Sequence, residues 1–364
     1  ALPSGGRCGR ASPSLVSGPW KLSTAAPGSV TLVRNDRHWG AQPYLDQYVL
    51  KTVKDQAALA DGLVAGSLDF GRLDPGQVAD LQAKPNLGVV AFPVNSFTFF
   101  GYQLDPARPA GKLFADVRVR QALLQALDRK QLLELHFLKQ GVVAQNCMPP
   151  YSWAYDASVG PAYDFSLDKA GSLLEAAGWR KGADGVRTGP DGQRLAFTLV
   201  TNSGSTQREG LVQSMARMWR AAGADVSPQL ITFSDLLSQI TTQRAFDVFL
   251  TGFNWGTDPD QSALWHSRNR APGGYNAMGY ANPAVDRALD QALATADEAQ
   301  RAKLYSQVAQ LVNQDLPAPL IAYADAVYAF NRRVQGHLGG EDGLGTFTQV
   351  GKPWLVRTWV ADAH

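Results

Sequence analysis

Apolar and polar positions alternate between two periods along this chain, and the clearest passage runs from residue 195 to residue 265. Residues 195–201 have the pattern of a strand, and a helix stripe follows with Leu211, Val212, Met215, Met218 and Trp219 on one side. Thr206 and Glu209 have the spacing of a capping box for that helix, and Gly223 ends it. Residues 225–231 form a second strand pattern, Ser234 caps a shorter helix, and the chain then reaches FDVFLTGFNWGTDPDQSALW at 246–265. Strand, helix, strand, helix, strand in succession predicts a parallel βαβαβ unit with right-handed crossovers.

Val248-Phe249-Leu250 is a short apolar run bounded by polar residues and Gly252, the pattern of a strand buried on both faces. It breaks into a loop, 253–260, that holds Phe253, Asn254, Trp255, Asp258 and Asp260, with Gly256 and Pro259 excluding regular structure. A buried strand whose carboxyl end opens into aromatic, amide and carboxylate groups is where an α/β protein keeps a ligand. The competing reading is a surface loop with one Trp folded beneath it.

Elsewhere the pattern predicts paired strands at 30–33 and 46–53, and a helix over 56–64 capped by Asp55. A strand at 68–70 and a helix opened by Asp74-Pro75 follow, then two strands at 87–92 and 96–104. After a Pro- and Gly-rich linker, 105–113, comes a helix capped by Asp116 with Val119, Ala122, Leu123, Ala126 and Leu127 on its core stripe. The loop at 148–156 carries Tyr151, Trp153 and Tyr155, Ser166 caps another helix, and Asp191-Gly192 marks a hairpin turn. Helices opening at Asn282-Pro283 and Asp297 lead to two strands, at 320–323 and 326–330.

Composition narrows the class. A chain of 364 residues with 45% hydrophobic and 18% charged residues has enough material for two or three globular units. Its net charge of +2 and the lack of a basic cluster give no footprint for nucleic acid. No apolar run reaches the roughly 18 residues needed to span a bilayer. The two cysteines, Cys8 and Cys147, could pair or stay as isolated thiols. Five scattered histidines make no metal-ligand spacing, so neither a metal nor a cofactor is expected. G-x-S-x-G, H-E-x-x-H, G-x-G-x-x-G and the phosphate-cradling P-loop are absent, and no catalytic residue is assigned. Asp258 and Asp260 have the closeness of paired acid–base carboxylates, but beside Pro259 a turn-forming role is the stronger reading. Trp153, Trp255, Trp265 and Tyr275 all fall in predicted loops; gathered round one cleft they would suit a ligand with apolar and amide surface.

The stretch FADVRVRQALLQALDRKQLL resembles the helix signature of the family 5 extracellular solute-binding proteins, the dipeptide- and oligopeptide-binding components of ABC importers. SGPWKL at 17–22 is similar to the family's GTGPY segment, RNDRHWG at 34–40 to its RNPDYWG, and MGYANPAVDRAL at 278–289 to its GY-x-NP-x-x-D segment. The helix, hairpin and strand of DKAGSLLEAAGWRKGADGVRTGPDGQRLAFTLVT, 168–201, fit the same order.

This resemblance implies a two-lobed, periplasmic-binding-protein-like α/β fold with the small extra lobe missing. It implies a flexible tail at 1–15, a first lobe from 16–97 plus 322–364, and a second lobe from 98–321, with the solute between the lobes. Cys8 and Cys147 would fall in different lobes and stay unpaired. The function implied is a non-catalytic, periplasmic or cell-surface bacterial protein that delivers a peptide or other small solute to an ABC permease in the inner membrane. The alternatives are a ligand-sensing module of a regulatory protein and, more distantly, a hydrolase. An upstream secretory signal would favour transport, an upstream helix-turn-helix regulation, and turnover of peptides or esters a hydrolase.

Members usually carry some 150 or more residues before the GTGPY segment, so the chain reads as a carboxy-terminal fragment, a processed form or a shortened relative. Peptide-binding members carry G-W-x-A-D-Y-P-D-P at the key loop, where the first Asp pairs with the peptide amine. The shared Asp-Pro places Trp255 at that position. Burying an ammonium without its partner costs about 3–5 kcal/mol, and a cation–π contact returns only about 0.5–2 kcal/mol. The alignment therefore argues against a free peptide amino terminus at this loop, unless a loop rearrangement brings in Asp258. The expected solute contacts are Phe253, Asn254, Trp255 and Asp258 from the loop, with Tyr275 and, from the hinge side, Asn95 and Phe97.

Overall fold

Most elements form where the apolar periods place them. The computed structural model describes residues 17–40, 42–256, 258–335 and 360–361. Cys8 and most of the Gly-rich end lie outside these. Three antiparallel strands come first, β1 (Trp20–Ala26), β2 (Ser29–Arg34) and β3 (Gln47–Lys51). Helix α1 (Gln56–Val64) starts where the Asp55 carboxylate accepts a hydrogen bond from the Ala58 amide at 2.8 Å. Then come β4 (Phe70–Leu73), the short α2 (Val78–Gln82) and the long β5 (Leu87–Tyr102). Helices α3 (Pro109–Leu113), α4 (Val117–Gln125) and α5 (Arg129–Phe137) lead to β6 (Gly141–Val143). Helix α6 (Leu167–Ala176) and a small pair, β7 (Arg180–Lys181) and β8 (Arg187–Thr188), precede β9 (Ala196–Asn202), α7 (Thr206–Ala221) and β10 (Asp225–Ile231). The short α8 (Phe233–Ser238), β11 (Val248–Asn254) and α9 (Ser262–Trp265) follow, then α10 (Pro283–Ala294), α11 (Glu298–Asp315) and β12 (Leu320–Asn331).

The chain packs as two units, one from residues up to Val94 together with Ala326 onward, the other Asn95–Asp325. Strands β5 and β12 are each shared between the two. In the first unit, β4 pairs antiparallel with Val327–Phe330, and Leu59 and Leu63 of α1 pack with Leu73, Leu87, Val327 and Ala329.

In the second unit the strand order is β10-β9-β11-β5-β12, with β6 beside β12. Strands β10 and β11 run parallel to β9, so the predicted βαβαβ run folds as expected, with β9 in the middle. Strand β11 also pairs antiparallel with β5, from Val248 opposite Tyr102 to Asn254 opposite Ser96. One face of the sheet buries Phe100, Tyr102, Leu199, Val248 and Leu250 against Leu123 of α4 and Trp219 of α7. The other buries Phe97, Phe99, Val200 and Phe249 against Trp265, Met278, Leu289 and Tyr305. Val248, Phe249 and Leu250 are thus enclosed from both sides, each such side chain contributing about 1.5–3 kcal/mol.

Several local expectations are corrected. The two strand pairs expected at 87–104 and 320–330 are each one continuous strand, β5 and β12, which lie side by side in the sheet and run on through Pro93 and Asp325. Helix α7 is capped by Ser205, one residue before Thr206, while Glu209 accepts from the Gly204 amide at 2.8 Å. Thr232, not Ser234, caps α8. Helix α5 was not foreseen; Asp128 caps it, accepting from the Gln131 amide at 2.9 Å. Cys147 is a buried free thiol, and burial pushes it up to about 12.

Candidate functional site

Strand β11 changes character along its length. Its first three residues are core, while Gly252 and Asn254 are exposed and Thr251 and Phe253 half-buried. Beyond Leu250 the aromatic residues pack on one another. The Phe253 ring lies 4.9 Å from that of Trp255 and 5.5 Å, edge-on, from that of Tyr275. Phe97, fully buried on the adjoining strand β5, backs both, at 6.1 Å from Phe253 and 5.5 Å from Trp255. Trp255 is half-buried, and its enclosed indole N–H finds no acceptor among the described residues.

The loop carboxylates are already engaged. Arg301 of α11 donates through Nη2 to both Asp258 oxygens, at 3.0 and 2.9 Å. The same nitrogen reaches the Tyr305 hydroxyl at 3.1 Å. The guanidinium also sits over the Trp153 and Tyr305 rings, 5.3 and 5.6 Å from their centres. The bond to Asp258, ahead of the one to Tyr305, pushes the Arg301 pKa further up. Asp260 accepts from both the amide and the hydroxyl of Ser262, at 3.0 and 2.6 Å, while its own amide donates to Asp258. These are the short-range turns that Asp supplies beside Pro259. As an exposed pair, Asp258–Arg301 contributes about 0.2–1 kcal/mol.

On the far side of Phe97 the aromatic contacts continue through β12. Tyr323, buried, meets the Phe97 ring edge-on at 6.0 Å and the Tyr151 ring at 6.4 Å, and its hydroxyl donates to the Asn146 carbonyl at 2.9 Å. Buried Arg129 ties this loop to the sheet, donating to the carbonyls of Ala144 at 2.6 Å, Ala162 at 2.7 Å and Leu320 at 3.3 Å. Burial pulls the Arg129 pKa down to about 10. Two residues past Tyr323 stands Asp325, half-buried, its carboxyl pushed up by burial. The Tyr151 phenol is pushed up by burial first and by the Asp325 charge second.

Of the residues singled out from sequence, Phe253, Trp255, Tyr275 and Phe97 form one contiguous cluster, with Phe97 as its enclosed backing. Asn254 ends β11 exposed, opposite Ser96. Asp258 lies beyond Thr257, which is outside the described residues, and faces Arg301. The Asn95 side chain is also outside them, although its backbone continues β5. Trp265, expected in a loop, closes α9 and is fully buried, its indole N–H bonded to Gln261 Oε1 at 2.7 Å. Arg301, Tyr323 and Asp325 were missed. Arg301 carries no local signal on a charged helix, but Asp325 does: it is a lone carboxylate inside the apolar run LIAYADAVYAF.

A mixed sheet between helical layers with this order is the fold of the two-lobed periplasmic binding proteins. The oligopeptide-binding protein AppA from Bacillus subtilis, solved with a nonapeptide, superposes with a TM-score of 0.82 at 27% identity over 95% of this chain and 67% of that one. NikZ from Campylobacter jejuni, solved with Ni(L-His), gives 0.83 at 23% identity over 95% and 68%, a likeness of fold. The chain belongs to the bacterial extracellular solute-binding proteins, family 5, whose middle-region model matches residues 9–275. In sequence it is 29% identical to AppA of B. subtilis over 88% of this chain and 28% identical to Protein XP55 of Streptomyces lividans over 88%. It spans 59% of AppA and 57% of XP55, little more than half their length. Among the described residues, no helix is long and apolar enough to cross a membrane.

Proposed function

We propose that this chain is part of the solute-binding component of an ABC importer. It would hold a peptide or other small solute against the aromatic end of β11 without turning it over. The two units are then the two lobes of the family, and the protein works in the periplasm or at the cell surface, handing its solute to a permease in the inner membrane. The observation that carries this reading is the cluster of Phe253, Trp255 and Tyr275 over buried Phe97, left half-open where the core ends. A half-open aromatic surface with a free amide beside it, Asn254, suits a solute with apolar and amide parts. Asn254 would exchange hydrogen bonds with an amide or hydroxyl, and Trp255 would stack on the apolar part.

Support for binding rather than catalysis comes from relatives named as binding proteins and from the absence of a recognisable catalytic motif. The test begins with native mass spectrometry of the chain purified from bacteria, which identifies the retained solute. Calorimetric titration with that solute should then show Trp255→Ala weakened about ten-fold or more, since ring stacking adds about 0.5–1.5 kcal/mol beyond area burial. Unaltered affinity with lowered thermal stability would instead mark Trp255 as packing, and the site would have to lie elsewhere.

A further inference from the structure

We propose that Asp325 receives the ammonium group of the solute, at the end of the aromatic run Trp255–Phe97–Tyr323–Tyr151. The ligand class is then an amine with an aromatic or apolar body. This rests on the solute-binding reading above and adds to it the charge the solute carries and where that charge is held.

Both loop carboxylates are committed, Asp258 to Arg301 and Asp260 to Ser262. Trp255 offers a ring and no charge. Asp325 has the opposite character: among the described residues no cation pairs with it and no hydrogen-bond donor serves its carboxylate. An unpaired carboxylate in a half-buried strand position is costly to keep, and such groups gather where a ligand completes them. Its surroundings fit an ammonium. Alternation along β12 puts Asp325 on the face that carries Tyr323, the residue whose ring meets that of Tyr151 at 6.4 Å. A charge-assisted bond to the carboxylate and cation–π contact with the phenol ring act in the same direction there. Strands β11, β5 and β12 are neighbours, so the strand that carries Asp325 and the one that leads to Trp255 are two strand spacings apart, about 9–10 Å. That is the reach of two to three extended residues, at about 3.3–3.6 Å each. A short peptide could therefore place its amino terminus at Asp325 and a side chain at Trp255; a free amine on an aromatic body would use the same two contacts.

The test uses the 364-residue chain, a tri- to pentapeptide library in which every sequence is present with a free and with an acetylated amino terminus, and 2-phenylethylamine as a separate titrant. Native mass spectrometry reads which forms are retained by the native chain and by Asp325→Asn. The expected result is a preference for free over acetylated termini of about ten-fold or more in the native chain, falling to near one in the variant. Binding of 2-phenylethylamine that disappears in the variant would equally uphold Asp325 and assign it to free amines. Equal retention of both peptide forms by the native chain would overturn the assignment and leave the solute-binding reading standing. So would a free-terminus preference that survives in Asp325→Asn. Retention of no peptide and no amine by the native chain would overturn the assignment too, and would count against the solute-binding reading itself. Replacing an unpaired, half-buried carboxylate by its neutral isostere leaves the fold intact, and the free-versus-acetylated comparison in the native chain needs no variant.

Discussion

The loop after β11 and the middle of β12 each present a carboxylate beside one aromatic cluster, and they are held in opposite ways. Asp258 is exposed and fully partnered: Arg301 spans both its oxygens, and Asp260 folds back on it through an amide. Asp325 is half-buried and served by no partner among the described residues. Exposure makes an ion pair weak because water competes with each partner; burial makes an unpaired charge expensive because water no longer solvates it. A carboxylate that stabilises its loop is therefore poorly placed to bind a cation, and one that destabilises its strand is well placed to do so. Phe97 stands between them, touching Trp255 on one side and Tyr323 on the other.

The comparison can be broken at four points, taken from the largest effect to the smallest. Phe97→Ala removes the shared backing and should lower unfolding free energy by about 3–5 kcal/mol, measured by urea denaturation. A loss below about 1 kcal/mol would show that the two halves of the cluster do not depend on it. Trp255→Ala should reduce solute affinity about ten-fold, roughly 1.4 kcal/mol, by calorimetry.

Asp325→Asn should act in two directions at once. Burial raises the folded-state pKa of Asp325, so folding favours its protonated form over the ionised one. The stability this group supplies is complete below the ordinary Asp value of about 3.9 and is lost as pH rises through the raised folded value. At pH 7 the variant should melt higher than the native chain, and the gap should close towards pH 4. Tyr151, the titratable neighbour, is itself pushed up and stays neutral throughout. Equal melting temperatures at pH 7 would mean the carboxylate is better solvated than its place in the strand indicates. Last, Asp258→Ala should change stability by less than about 1 kcal/mol in a thermal melt, the range for an exposed pair.

Much of this architecture is written in local patterns. The βαβαβ run, the doubly buried start of β11 and the caps at Asp55, Asp116, Ser166, Asn282 and Asp297 all follow from spacing and side-chain chemistry within a few residues. Local hydrogen bonding and burial periodicity need no knowledge of distant segments, so they can be read directly. The aromatic loop residues were legible too, because loop position and residue type are both visible in the sequence.

Tertiary packing decided the rest. Asp325 read as a gap between two strands because a charge interrupts an apolar run; β6 pairs with β12 up to Ala324 and β4 from Val327, and those distant partners carry the strand across the charge between them. Asp258 read as a candidate ligand contact because Arg301, 43 positions away on α11, is invisible to local reading. Trp265 read as a loop aromatic until core residues from distant segments, Phe97 and Tyr305 among them, closed around it. In each case the deciding partner comes from a remote part of the chain. Whether a polar or aromatic side chain is satisfied, enclosed or left open depends on that partner, and sequence spacing carries no record of it.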